Sequence, residues 1–163
     1  MDEGLEIFTG LLSGEPFSYE GEFYTLTEMR FLPKPVRTPH IPIWVGGTWP
    51  NKKPLQRAVN YDGYFPDVLQ HPVTAEDWTG VKEFVVSQRG TDSDFDFVQY
   101  GVTPGDDPVA AAAQVAPYLA VGVTWWIEGI SPFDYGFDWV EPWTPEIVEK
   151  LEQRIRQGPP RPV

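Results

Sequence analysis

Apolar side chains near the start of the chain recur at the spacing of an α-helix. They stand three, four and seven positions apart and are Leu5, Ile7, Phe8, Leu11 and Leu12. This periodicity predicts an amphipathic helix over residues 2–12, with Leu5, Phe8 and Leu12 on one face. Because glycine commonly follows the last turn of a helix, the predicted helix ends near Gly14.

The next two segments lack that spacing. Residues 17–26 are rich in aromatic and β-forming side chains around Glu20-Gly21. They predict a short hairpin in which Gly21 takes a positive-φ turn position. Four prolines then exclude a helix and impose extended, irregular backbone up to residue 42. They are Pro33, Pro35, Pro39 and Pro42.

From residue 43 onwards, short apolar runs alternate with helical segments. The candidate strands are residues 43–45, 62–65, 95–102 and 123–127. Strands separated by helices at this spacing are typical of parallel βα units, so the pattern predicts four such units in an α/β fold. The apolar runs are nearly continuous, as expected of parallel strands that are buried on both faces.

The candidate helices carry start and stop signals. They cover residues 51–60, 74–90, 107–122 and 144–158. The second has Trp78, Val81 and Val85 on one face, and in the third an interior Pro117 predicts a break near residue 116. The fourth begins at Thr144-Pro145. Its predicted apolar face consists of Ile147, Val148, Leu151 and Ile155.

Composition narrows the class of protein. A length of 163 residues fits a single domain, residues 1–163. The net charge of −12 disfavours nucleic-acid binding, and the absence of cysteine excludes disulfides and thiolate metal sites. Polar residues, glycine and proline interrupt the apolar stretch 109–127, so no membrane span is expected. The start of the chain lacks a secretory signal pattern, so a cytoplasmic location is expected.

Several motifs occur in one order along most of the chain. They are Ser13-Gly14-Glu15-Pro16-Phe17-Ser18-Tyr19-Glu20-Gly21-Glu22-Phe23-Tyr24, Phe31-Leu32-Pro33-Lys34-Pro35-Val36, Pro39-His40-Ile41-Pro42-Ile43-Trp44-Val45-Gly46-Gly47, Asp62-Gly63-Tyr64-Phe65-Pro66 and Arg156-Gln157-Gly158-Pro159-Pro160-Arg161. This series resembles the C-terminal half of bacterial-luciferase-like (luciferase-like monooxygenase) oxidoreductases. Members of that family are (βα)8 barrels that bind FMN or the deazaflavin F420.

The resemblance implies a partial TIM (βα)8 barrel. Its parts are about four βα units, equivalent to strands 5 to 8 of the family, and a preceding helix and β-hairpin insertion. A typical barrel uses roughly 250 residues, so this chain cannot hold eight units. The implied function is that of a flavin-dependent oxidoreductase or monooxygenase, inactive as a lone monomer. The alternative is a remnant of the fold that binds flavin or phosphate without catalysis, or only associates with itself.

The loop after the first parallel strand is the candidate cofactor site, because active sites of (βα)8 barrels lie at the carboxyl ends of the strands. Its residues are Gly46, Gly47, Thr48, Trp49, Asn51, Lys52, Lys53 and Arg57. Paired glycines admit a ligand to the backbone, helix-start amides suit phosphate, and the cations add positive charge. The resemblance implies the same loop, since the family places the flavin phosphate around it. From the residues alone, a tight turn with solvated lysines remains the alternative.

Other polar candidates are expected to be structural. His40 and His71 lie near prolines without metal-ligand spacing. Glu128 ends the fourth strand, where a salt bridge or helix cap is the commoner role than a catalytic one. Asp106-Asp107 is expected to cap a helix rather than hold a metal. No catalytic residue is predicted, because the family cradles the flavin ring largely with its early strands.

Half of a barrel would leave unpaired sheet edges at residues 43–45 and 123–127. It would also expose the apolar face that met the other half. We therefore expect two copies to pair as a homodimer that covers these surfaces. No nucleic acid, membrane or metal is expected as a partner.

Overall fold

The computed structural model describes residues 1–67, 72–136, 138 and 142–161. His71 therefore lies outside the described residues. The chain divides into two compact units, Met1–Ile43 and Trp44–Val163. This division does not decide the number of folding domains, so the single domain stays a prediction.

The first unit consists of the predicted helix and hairpin. Helix α1 covers Asp2–Leu12, and strands β1 (Phe17–Glu20) and β2 (Thr25–Met29) pair antiparallel. The Glu3 carboxylate organises the hairpin loop, since it accepts hydrogen bonds from the backbone N–H groups of Glu22 and Tyr24 at 2.8 and 3.1 Å. Helix α1 and the hairpin are thus joined by a side chain that the apolar pattern does not reveal.

Two details of this unit differ from the prediction. Gly21 is not among the glycines with positive φ. Glycine suits this position for a different reason, because little space is left for a side chain: a Cβ would lie 2.5 Å from the Glu3 Oε2 atom. Phe8 is 49% exposed, and no residue of α1 is buried. The apolar face of this helix is thus only partly covered by the described residues.

The second unit is built on a four-stranded parallel sheet. Its strands are β3 (Trp44–Gly47), β4 (Gly63–Pro66), β5 (Asp96–Gly101) and β6 (Trp125–Glu128), in the spatial order β3-β4-β5-β6. The helices are α2 (Lys52–Ala58), α3 (Ala75–Arg89), α4 (Pro108–Ala120) and α5 (Pro145–Gln157), with a 3-10 turn at Pro132–Tyr135. This mixed α/β unit confirms the predicted parallel strands and is consistent with a partial α/β barrel.

One face of the sheet carries the core. Trp78, Val81 and Val85 of α3 are fully buried, as their spacing predicts. The Trp78 ring packs edge-on against Tyr64 and Phe97 at centroid distances of 6.3 and 5.9 Å. Burial of such aromatic and branched side chains removes apolar area from water and holds α3 on the sheet.

The opposite side of the sheet is here called the inner face. Strand register and side-chain alternation place these residues on it: Trp44, Gly46, Phe65, Asp96, Val98, Tyr100, Trp125 and Ile127. Trp44 and Trp125 belong to the two edge strands, yet their ring centroids are 5.4 Å apart, and both indole N–H groups donate to the Asp96 carboxylate at 2.9 Å. Edge strands of a flat sheet would lie about 14 Å apart, so this contact favours curvature towards the inner face.

Two helix predictions were wrong in detail. Helix α4 runs from Pro108 to Ala120 without a break at Pro117. The proline lies in the last turn on an exposed surface, where water can satisfy the one carbonyl that loses its partner. In α5, Val148 and Ile155 are 39% and 60% exposed. The buried residues of that helix are Ile147, Leu151 and Arg154.

Candidate functional site

The glycine pair predicted to admit a ligand ends strand β3. A Cβ on Gly46 would have only the Phe65 carbonyl oxygen within reach, at 3.6 Å, and Gly46 is exposed. A Cβ on Gly47 would lie 2.1 Å from the Cβ of Pro54. Gly46 therefore leaves open space at the carboxyl edge of the sheet, whereas Gly47 is required by the packing of α2.

The start of α2 carries the predicted positive charge but few spare backbone donors. Lys52 and Lys53 are exposed. The Asn51 side chain caps the helix by accepting a hydrogen bond from the Lys53 N–H at 3.1 Å, and Pro54 has no N–H to offer. With seven residues, the helix also has a small dipole. The loop thus combines exposed positive charge with open space next to Gly46, but it offers fewer helix-start amides than the sequence suggests.

The remaining residues of the loop hold it in place. Thr48 accepts a turn hydrogen bond from the Asn51 N–H at 2.9 Å. The Trp49 indole N–H donates to the Asp77 carboxylate in the first turn of α3 at 3.1 Å. Arg57 lies in the last turn of α2, about 7.5 Å along the helix axis from Lys52. Its backbone is thus more than one helical turn away from the helix start.

A second polar cluster lies at the carboxyl ends of β5 and β6. Glu128 pairs with Arg154 of α5 at 3.0 Å, and the two side chains are only 8% and 5% exposed. The Glu128 carboxylate also accepts hydrogen bonds from the Thr103 N–H at 2.6 Å and from the Trp126 indole at 2.9 Å. Glu128 therefore has the salt-bridge role that its sequence position favoured.

Strand β5 adds the phenol of Tyr100 to this edge of the sheet. The Tyr100 hydroxyl donates to the Asp134 carboxylate at 2.6 Å, and Asp134 in turn closes a capping box with Ser131. Desolvation, followed by the hydrogen bond to Asp134, raises the pKa of Tyr100 well above its usual value. The phenol thus stays protonated at neutral pH and serves as a donor.

The other sequence candidates have structural positions. His40 is exposed, and Asp107 caps α4 by accepting from the Val109 and Ala110 N–H groups at 3.1 and 2.9 Å. Asp106 is exposed beside it. Within the described part of the chain, no group of three His, Cys, Asp or Glu side chains is arranged to hold a metal ion. The helices described there also include none long and apolar enough to cross a bilayer.

Sequence reasoning missed Tyr135 and underrated Arg154. Arg154 lies seven residues after Ile147 and three after Leu151, so it continues the buried stripe of α5 in place of an apolar residue. A cation in register with such a stripe is a signal of a buried polar partner. Here that partner is Glu128, which is distant in sequence and could not be chosen from the pattern alone.

The fold and these loops define an α/β protein with its polar groups gathered at the carboxyl edge of a parallel sheet. Residues 1–157 match the family described as luciferase-like monooxygenase, and the chain belongs to that family. This confirms the family that the order of motifs along the chain predicts.

Similar proteins occur in mycobacteria. Uncharacterized proteins of Mycobacterium bovis and of two strains of Mycobacterium tuberculosis are each 41% identical to this chain over 64 residues. The match covers 39% of this chain and 21% of each relative. The chain thus spans about a fifth of the length of these relatives.

Proposed function

We propose that this chain supplies strands 5 to 8 of a barrel-type oxidoreductase that uses FMN or F420. The observation that carries the proposal is the sheet order β3-β4-β5-β6, in which each parallel strand lies next to its sequence neighbour. Doubly wound sheets reverse their order at a switch point, whereas barrels add strands in sequence order. The curvature indicated by the Trp44–Trp125 contact supports the same arrangement.

The proposed cofactor site is the loop formed by Gly46, Gly47, Thr48, Trp49, Asn51, Lys52, Lys53 and Arg57. In this proposal the open side of Gly46 admits the ligand and the ammonium groups of Lys52 and Lys53 neutralise its phosphate. The hydrogen bond from Trp49 to Asp77 keeps the loop in position. A bound flavin supplies the electron transfer that amino-acid side chains do not provide.

We further propose that a second copy of the chain completes the sheet. Strands β3 and β6 each have one neighbour in the described sheet, which leaves backbone donors and acceptors at both edges. Trp125 on the inner face is 51% exposed, although tryptophan is a side chain that proteins bury at interfaces. Two copies would contribute eight strands, the number of a closed TIM barrel.

A flavin titration of the intact chain, monitored by absorbance, tests the function. We expect FMN or F420 to bind with a spectral shift, and the double variant Lys52→Gln/Lys53→Gln to bind about tenfold more weakly or worse, because it loses two charged partners of the phosphate. Lys34→Gln/Arg37→Gln makes the same change in net charge and should bind as the wild type does. Absence of any spectral shift with either cofactor would contradict the proposal.

Enzyme activity is measured separately as oxidation of NAD(P)H or of reduced F420. Turnover by the flavin-loaded protein would support an oxidoreductase. Flavin binding without turnover would instead support the alternative, a flavin-binding remnant of the fold. Solution mass, measured in the same samples, shows whether turnover requires the dimer.

A further inference from the structure

A cavity lies at the carboxyl edge of the sheet, away from the loop after β3. Its volume is about 380 Å³. The segment 102–106 after β5, the 3-10 turn and the C-terminal half of α5 line it, and the lining includes Thr103, Gly105, Tyr135, Lys150, Arg154 and Gln157. Helix α5 thus brings its last turns, rather than its first, to this edge.

Two residues that line this cavity, Tyr135 and Arg154, each have a buried hydrogen-bonding atom without a partner. The Tyr135 hydroxyl and the Arg154 Nε are buried and have no hydrogen-bond partner among the described residues. The other side of the Arg154 guanidinium is occupied, because its Nη2 contacts the Thr103 hydroxyl at 3.2 Å and the Glu128 carboxylate at 3.0 Å. Since buried polar groups in folded proteins are nearly always paired, these two atoms have capacity for a further hydrogen-bond acceptor.

The chemistry of the two groups defines that partner as an acceptor. Burial raises the pKa of the Tyr135 phenol, so it keeps its proton at neutral pH, and an arginine in a protein is always protonated. Both groups therefore donate. Lys150 adds a cation at the rim, although it also pairs with Glu146 at 2.9 Å. Asp106 is the carboxylate in the described lining, and it is exposed.

We propose that this cavity binds an oxyanion, the phosphate or carboxylate group of a small molecule, between the Tyr135 hydroxyl and the Arg154 Nε. The Glu128 carboxylate pairs with the single positive charge of Arg154 and fixes the orientation of its guanidinium, so the guanidinium offers the oxyanion a directed N–H donor. Strands β3 and β5 are two positions apart in the sheet, so the cavity and the Gly46 loop are on the order of 10 Å apart. The oxyanion site does not depend on flavin binding.

Isothermal titration of the intact chain with inorganic phosphate, at constant ionic strength and without flavin, tests this site; a parallel titration uses acetate. We expect saturable binding of at least one of the two ions. Tyr135→Phe removes one donor and should weaken that binding about tenfold. The matched control is Tyr118→Phe, whose hydroxyl bonds to the Val73 carbonyl at 3.3 Å outside the cavity lining, and it should bind as the wild type does. Arg154 is a poor choice for replacement, because its loss would leave Glu128 buried without a counter-ion.

If Tyr135→Phe weakens the binding of phosphate, the cavity is a phosphate site. If it weakens the binding of acetate, the cavity is a carboxylate site. Either result supports the proposal. Equal binding by the wild type and Tyr135→Phe would overturn it, and so would no saturable binding, which is the result expected if a water molecule pairs the two groups. Phosphate binding that is weakened by Lys52→Gln/Lys53→Gln, and not by Tyr135→Phe, would place the anion at the loop after β3 and also overturn it. Failure of the flavin titration alone would remove the proposed function and leave this site intact.

Discussion

Gly46 and Gly47 are adjacent at the end of β3, but their surroundings differ. Gly47 faces Pro54 of α2 at a distance that no side chain can share, whereas Gly46 faces open space. A sequence motif of two glycines does not distinguish these roles. The difference lies in the position of a helix that begins five residues after Gly47.

Replacement of each glycine by alanine shows which of the two is required by packing. We expect Gly47→Ala to lower the free energy of unfolding by about 1–3 kcal/mol, because the new methyl group overpacks against Pro54. Gly46→Ala should change it by no more than about 0.5 kcal/mol. Urea denaturation of the two variants checks this. If Gly46→Ala proves as destabilising as Gly47→Ala, the space next to Gly46 is not open.

Of the candidate residues, the sequence predicted those whose signal is local. Asp107 as a helix cap follows from its place before Pro108, and the structure confirms it. The ion pair of Glu128 with Arg154 joins residues 26 positions apart, and the Tyr135 hydroxyl becomes buried only when the 3-10 turn meets α5. Such sites depend on tertiary packing, which hydrophobic periodicity does not specify.

At the scale of elements, the first turn of α3 connects the core helix to the candidate loop. The Thr74 hydroxyl accepts from the Asp77 N–H at 3.2 Å, and the Asp77 carboxylate accepts from the Thr74 hydroxyl at 2.7 Å and the Thr74 N–H at 2.9 Å. Its other oxygen accepts from Trp49. The hydrogen bonds from the Thr74 side chain and backbone lower the pKa of Asp77 below its usual range.

Thr74→Ala tests this capping box. At pH 7 we expect a loss of about 1 kcal/mol of unfolding free energy, because an N-cap side chain is removed. A carboxyl with a lowered folded-state pKa stabilises the protein above its unfolded pKa of about 3.9, and this contribution is lost as pH falls through the folded pKa. The difference between wild type and Thr74→Ala should therefore narrow below about pH 4.

Urea midpoints between pH 3 and 7 measure that difference. Thr79→Ala is the matched control, since Thr79 is exposed in the same helix and alanine is the better helix former. It should be neutral or slightly stabilising at every pH. If the difference in unfolding free energy between Thr74→Ala and the wild type stays constant down to pH 3, the hydrogen bonds from Thr74 do not lower the pKa of Asp77.

The elements themselves were predictable because each carries its own boundary signals. All four parallel strands and the helices between them lie within a few residues of their predicted positions. The wrong helix predictions concern the buried face of α5 and the break expected at Pro117 in α4. Val148 and Ile155 satisfy the period of α5 but are exposed, while Arg154 is buried in its ion pair with Glu128.

At the scale of the whole molecule, the inner face is only partly covered by its own side chains. Val98 at its centre is fully buried, while Trp125 on the edge strand β6 remains half-exposed. The Asp96 carboxylate takes hydrogen bonds from both Trp44 and Trp125, so these rings are held over the face rather than free to turn away. A fixed, exposed indole beside an unpaired strand edge is a surface suited to a second copy of the chain.

Trp125→Ser tests whether that second copy covers the inner face. We expect the wild type to sediment as a dimer. The association constant of the variant should be lower by about tenfold or more, because a central interface tryptophan commonly dominates the binding energy.

Val109→Ser is the control: Val109 is 80% exposed on α4, and α4 packs against the other face of the sheet through the contact of Tyr118 with Trp126. Sedimentation equilibrium gives the association constants, and circular dichroism confirms that each variant is folded. A monomeric wild type would contradict the dimer itself. A dimer that Trp125→Ser leaves unchanged would place the interface elsewhere, and the inner face would then need a different partner to complete a barrel.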